Sequence, residues 1–230
     1  MTAALNPLAS FFSSSIGRKW VVALTGAGLV GFVTAHMLGN LQIFLGPEQI
    51  NKYGAFLQGL GELLWAARLA LLAMVGAHLV FTIQLTRENR AARPVKYAVS
   101  GYQASTRASR TMIVSGLILL CFIVFHLLHF TAQKIDPSFA TLHDAQGRHD
   151  VYRMMILGFK SKWASVFYIV GMFLLCQHLS HGIVSFPQTL GLNSKKLEGF
   201  WKKLGPAWAW VVFAGYISIP VAVLAGYFDK

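Results

Sequence analysis

Five long apolar stretches separated by polar segments organise this chain, at about residues 20–44, 63–86, 111–131, 163–186 and 207–228. Each reaches the roughly 20 residues of helix needed to cross a bilayer. A helix satisfies its own backbone hydrogen bonds where no water is at hand, so helices are the predicted elements. Breaks are expected at Gly46-Pro47-Glu48, Arg93-Pro94, Asp136-Pro137 and Gly205-Pro206. Trp20, Trp65, Trp163 and Trp208 sit near span ends, as interfacial aromatics do. The pattern predicts an all-α integral membrane protein of five transmembrane helices, a single domain over residues 1–230. The connection between the third and fourth spans, about residues 132–162, is the longest on its side, with a short helix over that face as a secondary expectation.

Composition supports the membrane reading. Charged residues make up only 12% of the chain, against about 25% in soluble domains. The formal net charge of +12 raises the question of nucleic acid, but the cations lie in loops between apolar spans, which argues against it. They are also unevenly shared. Arg18, Lys19, Arg87, Arg90, Arg93, Lys96, Arg107, Arg110, Lys195, Lys196, Lys202 and Lys203 fall on one side, opposed only by Glu88 and Glu198. The other side is nearly balanced. The positive-inside rule then puts the N-terminus in the cytoplasm and the C-terminus outside. No cleaved signal peptide is expected, because the apolar stretch after Lys19 is too long for a signal core. Cys121 and Cys176 both lie inside spans and read as packing residues.

The candidate chemistry is in the histidines. Each of the first four spans carries one about two-thirds of the way along: His36, His78, His126 and His178. An imidazole in hydrocarbon is costly and usually functional. At 1.5 Å of rise per residue, His36 and His126 lie roughly 24 and 22 Å from the inner face, whereas His78 and His178 lie about 12 Å from it. Two level pairs result, an outer one of His36 with His126 and an inner one of His78 with His178, separated by roughly 10–12 Å along the membrane normal. Such pairs between facing helices suit the two axial positions of a haem iron. The pairs are too far apart to make one four-ligand copper or zinc site. The alternative for any one histidine is a hydrogen bond to a neighbouring helix.

His129 and His181 share a helical face with His126 and His178, three residues on, and depth alone barely favours His126 and His178. His129 and His181 lie nearer the interfaces, with three readings open for each: a bond to a haem propionate, a bond to a quinone carbonyl, or contact with water. Arg68, the only charge well inside a span, has two readings, pairing with a haem propionate or snorkelling to the outer interface. His143 and His149 are expected to be solvated in the outer loop. Gly26-Ala27-Gly28-Leu29-Val30-Gly31 matches a dinucleotide fingerprint literally, but it lies inside a membrane span with no preceding strand, so it reads as a close-approach surface.

Several motifs together carry a resemblance. They are Ser14-Ser15-Ile16-Gly17-Arg18-Lys19; His36-Met37-Leu38-Gly39-Asn40-Leu41-Gln42; His78 with Asn89-Arg90-Ala91-Ala92-Arg93-Pro94; Ser115-Gly116 ahead of His126; and Phe167-Tyr168-Ile169-Val170-Gly171 leading to His178-Leu179-Ser180-His181-Gly182. Across essentially its whole length the chain resembles the cytochrome b subunit of succinate:quinone oxidoreductases, the five-helix, di-haem, single-anchor type. The resemblance implies two haem b groups in a bundle of the first four helices. It selects His36 and His126 for the outer iron, His78 and His178 for the inner, and it favours His126 over His129 and His178 over His181. It implies a flavoprotein subunit with FAD, an iron–sulfur subunit, a membrane quinone with menaquinone as the expected type, and a bacterial cytoplasmic membrane. No catalytic residue is assigned. Glu48 and Glu62 near the outer helix ends are candidates for a quinol proton, an inner quinone site near residues 13–19 stays open, and an ordinary solvated carboxylate remains the alternative for each glutamate. Two other functions stay in view: a di-haem anchor for a hydrogenase or formate dehydrogenase, and a haem-free transporter using histidines as a proton path.

Overall fold

A computed structural model describes residues 7–92, 95 and 105–229. In chain order its helices are α1 (Pro7–Ser13), α2 (Ser15–Leu41), α3 (Pro47–Gly59), α4 (Glu62–Ala91), α5 (Arg107–Arg110), α6 (Met112–His126), α7 (Val151–Lys160), α8 (Lys162–Thr189) and α9 (Glu198–Leu224). A 3-10 turn, Gln42–Leu45, extends α2, and a π-helical turn, Leu127–Thr131, extends α6. Five of these helices are long and apolar enough to span a membrane, and they coincide with the five predicted stretches.

Their ends follow from local chemistry. Ser14 caps α2 by accepting from Gly17 N, Ser161 caps α8 by accepting from Ala164 N, and Asp150 caps α7 by accepting from Arg153 N. Gly46, at φ 99°, takes the left-handed backbone that turns the chain from α2 into α3.

One predicted break is wrong. Gly205-Pro206 lies inside α9. Proline costs the helix one hydrogen bond, which membrane helices tolerate when neighbours and local adjustment compensate. Gly205 is needed for close packing, because a Cβ there would come within 2.9 Å of Ser180 O on α8. The predicted break at Arg93-Pro94 lies outside the described residues.

α2 packs on α4, α8 and α9, while α6 packs on α8. The first four spanning helices therefore form the bundle and α9 buttresses it from outside, most extensively against α8. Met37, Cys176, Leu179, Ile183, Ala209 and Val212 make the α2–α8–α9 core. A second cluster, including Ile43, Ile50, Phe122, Met155, Phe159 and Tyr168, closes the end where α3 and α7 lie.

Those two short helices form a cap. Asn51 on α3, 1% exposed, donates to Asp144 Oδ2 (3.3 Å) and Asp150 Oδ1 (3.1 Å) and accepts from Tyr152 N (2.9 Å). Arg148 pairs with Asp144 (2.7 Å) and Glu48 (2.6 Å). Lys160 reaches Asp229 beyond α9 (2.8 Å). The short helix expected in the long loop is α7; α3 was not anticipated. His149 is half-buried rather than solvated and meets the side-chain amide of Gln133 at 3.1 Å, whereas His143 is exposed.

Candidate functional site

The bundle brings four imidazoles together in two pairs. The rings of His36 and His126 have centroids 5.8 Å apart, and those of His78 and His178 are 6.3 Å apart. α2 and α6 supply the first pair, α4 and α8 the second.

Hydroxyl groups from neighbouring helices hold three of the four rings by Nδ1. Thr25 Oγ1 lies 3.1 Å from His78 Nδ1, Ser115 Oγ 3.3 Å from His178 Nδ1, and Tyr168 Oη 3.2 Å from His126 Nδ1. A hydroxyl has a single hydrogen to give. Thr25 gives its own to Val21 O at 2.6 Å, and Ser115 gives its own to Met112 O at 3.1 Å. With their hydrogens given there, both accept from the imidazoles, the arrangement in which the proton of His78 and of His178 is on Nδ1 and Nε2 keeps a free lone pair. A neutral imidazole oriented by a hydrogen bond from its other nitrogen is the form a metal ligand needs.

Beside these hydroxyls stand two glycines. A Cβ on Gly26 would meet His78 Cε1 at 3.2 Å, and one on Gly116 would meet His178 Cε1 at 3.6 Å. Thr25-Gly26 is thus level with His78, and Ser115-Gly116 with His178. On each helix the outer histidine follows ten residues after the glycine, about 15 Å of helix rise. The two levels are therefore farther apart along the helices than the 10–12 Å expected, because cross-helix contacts, rather than assumed span ends, set the ruler. This repeat was legible: a hydroxyl residue and glycine precede the histidine at the same interval in both α2 and α6, a signal that reading each histidine by its own depth passed over.

The remaining candidates separate clearly. His129 is buried, 4% exposed, among Phe125, Phe130 and Phe139, with Nδ1 3.3 Å from the same Tyr168 hydroxyl. It shares a partner with His126, but its ring is not among those packed on His36. The π-helical turn, closed by Ala132 N on Leu127 O, carries it there. His181 is half-buried one turn beyond His178. Arg68 is exposed, and its guanidinium lies 5.1 Å over its own helix's Trp65 ring. Glu48 is bound to Arg148 in the cap, and Glu62 is exposed in the first turn of α4. At the opposite end of the bundle a cavity of about 390 Å³ is lined by Ile16, Lys19, Trp20, Ser185, Gln188 and Thr189. Tyr168, Thr25 and Ser115 are the site residues that sequence reasoning missed.

The donor set suits haem. His36 with His126, and His78 with His178, would each hold one haem iron between them, and their ring-centroid separations of 5.8 and 6.3 Å leave room for it. Among the described residues, no cluster of three or more His, Cys, Asp or Glu could hold a lone metal ion.

No curated protein and no solved structure matches the chain at a significant level. Residues 86–219, more than half of the chain, match the family described as the succinate dehydrogenase/fumarate reductase transmembrane subunit. The matched region contains α6, α8 and most of α9, and with them His126, Tyr168 and His178. A five-helix membrane bundle with this match belongs to the succinate dehydrogenase/fumarate reductase transmembrane-subunit family.

Proposed function

We propose that the chain is the di-haem b anchor of a succinate:quinone oxidoreductase, passing electrons between a cytoplasmic iron–sulfur subunit and quinone in a bacterial cytoplasmic membrane, in either direction. The observation that carries this reading is the pair of imidazole pairs, three of the four rings held through Nδ1 by hydroxyls, stacked at two levels of one bundle. His36 and His126 would hold one haem, His78 and His178 the other. Haem b supplies reversible one-electron exchange without group transfer.

The residues of this chain do the rest. Thr25, Ser115 and Tyr168 hold the orientation of three of the four rings. Gly26 and Gly116 leave the imidazole edges open to a flat group. The apolar helices exclude water, and α9 stiffens α2 and α8 from behind. Dicarboxylate chemistry and FAD belong to the flavoprotein partner; iron–sulfur clusters belong to the iron–sulfur partner, since a cluster takes four thiolates and the chain's two cysteines lie within separate helices. The cation-rich face, with Arg18, Lys19, Arg87 and Arg90, is the cytoplasmic docking side, and the cap of α3 and α7 lies outside.

The test is a dithionite-reduced minus oxidised spectrum with a pyridine haemochrome count on the purified complex and four single His→Ala variants. The expected result is two haems b per chain, with loss at His36 or His126 separable from loss at His78 or His178. A folded, colourless preparation would overturn the reading in favour of a haem-free transporter.

A further inference from the structure

The outer ends of α6 and α8 enclose a cleft of about 640 Å³ that the paired imidazoles do not use. Its walls are apolar and aromatic, from Phe125, Phe139, Phe167 and Val170, and its rim is polar, with Asp136 and Ser161. The mouth faces lipid: Trp163 is 87% exposed and Val170 52% on the outward side of a spanning helix. The floor is His129. A buried imidazole under an otherwise apolar cleft calls for a polar partner.

The hydrogen-bond pattern says which kind. Tyr168 Oη lies between His126 Nδ1 and His129 Nδ1 and has one hydrogen to give. If His126 binds metal through Nε2, as proposed above, its proton is on Nδ1 and is donated to the Tyr168 oxygen. Tyr168 then donates to His129 Nδ1, and His129 carries its own proton on Nε2. His129 lines the cleft, and with Nδ1 taken by the Tyr168 hydroxyl its Nε2–H is the donor left for a ligand. The cleft therefore combines an imidazole in its lining, aromatic walls and an opening to lipid. A ligand to match has a flat ring, a carbonyl acceptor and a lipid-soluble tail.

We propose that this cleft binds the ring of a membrane quinone, with His129 Nε2–H donating to one carbonyl oxygen and Phe125 and Phe167 flanking the ring. The proposal rests on the quinone-linked reading above and assigns its site to the lipid-facing side of α6 and α8. It does not use the Glu48 and Glu62 region or the cavity at the opposite end.

The experiment uses the assembled complex in lipid nanodiscs and a short-chain naphthoquinone carrying a photoreactive azide. Bound probe is measured by equilibrium titration, and the cross-link is mapped by peptide mass spectrometry. The expected label falls on residues 125–129 and 163–170. Val170→Trp, which fills the mouth from the lipid side, and His129→Phe each weaken binding about tenfold or more, the loss expected with one hydrogen bond to a buried group or its equivalent in contact. The reduced-minus-oxidised spectrum stays that of the parent. Val211→Trp, on the exposed face of α9, leaves the affinity unchanged. Full affinity in Val170→Trp, or a label confined to residues 16–20 and 185–189, overturns the site while leaving the quinone-linked function standing. No saturable binding to the parent complex overturns both.

Discussion

At the scale of single residues, imidazoles are set by the hydroxyls behind them. Thr25 and Ser115 each also reach a backbone carbonyl, so their oxygens are free to accept from the imidazoles. Thr25→Val with Ser115→Ala is expected to leave the fold and the outer haem intact but to loosen the inner haem about 10–100-fold, as loss of outer-shell partners typically does. Haem retention after transfer to a haem-scavenging apoprotein measures this, and equal loss from both haems would refute the assignment of these hydroxyls to the inner pair. Tyr168 serves two imidazoles. Tyr168→Phe leaves two buried nitrogens without their shared partner, which costs about 1–3 kcal/mol. It also removes an acceptor that makes His126 more electron-rich, so the outer haem's midpoint potential is expected to rise while the inner one stays put. A redox titration resolving the two haems checks this.

At the scale of elements, the cap of α3 and α7 is an electrostatic clasp on a buried amide. Hydrogen bonds from Arg148 hold Glu48 below the usual carboxylate range. Burial pushes Asp144 upward, but hydrogen bonds from Arg148 and Gln146 outweigh it and hold Asp144 low as well. A carboxylate whose folded pKa is depressed stabilises the fold above its unfolded pKa, here 4.5 for glutamate and 3.8 for aspartate. That stability drains away as pH falls through the lower folded value. Hydroxyl-radical footprinting of residues 142–153 is therefore expected to show constant protection from about pH 8 to pH 5 and loss below about pH 4. Arg148→Leu should expose the segment already at neutral pH. A pH profile unchanged in that variant would rule out the clasp. Of the elements, the spanning helices and the existence of α7 were legible, since an apolar run of bilayer length has only one solution in lipid. α3 was not, because its face is half polar and its partner, Val151–Lys160, is about a hundred residues away. The continuity of α9 through Gly205-Pro206 was also hidden, because it depends on the close approach of α8.

At the scale of the whole molecule, charge and depth bear on the same axis. The cation-rich ends of α2 and α4 lie together, Arg18 pairing with Glu88 and bonding Phe12 O at 3.0 Å, while the cap closes the other end. With the cation-rich end in the cytoplasm, a membrane-impermeant maleimide applied to intact spheroplasts should label Gln146→Cys in the cap and spare Ser13→Cys until the membrane is opened. The reverse pattern would invert the proposed orientation and place the iron–sulfur partner on the cap side. Both variants are assayed in a Cys121→Ser, Cys176→Ala background.

The sequence by itself determined the membrane class, the number of spans and which histidines pair, because hydropathy and helix rise are local and act along one dimension; the spacing between the two levels came from contacts across helices. The same one-dimensional information leaves His126 and His129 nearly equivalent. Only the tertiary structure separates them, turning the His126 ring toward His36 and seating His129 under a lipid-facing cleft, with Tyr168 from α8 between them. Contacts of α2 with α4 and of α6 with α8 hold His78, His126 and His178 through Nδ1, and no periodicity along a single helix contains that information.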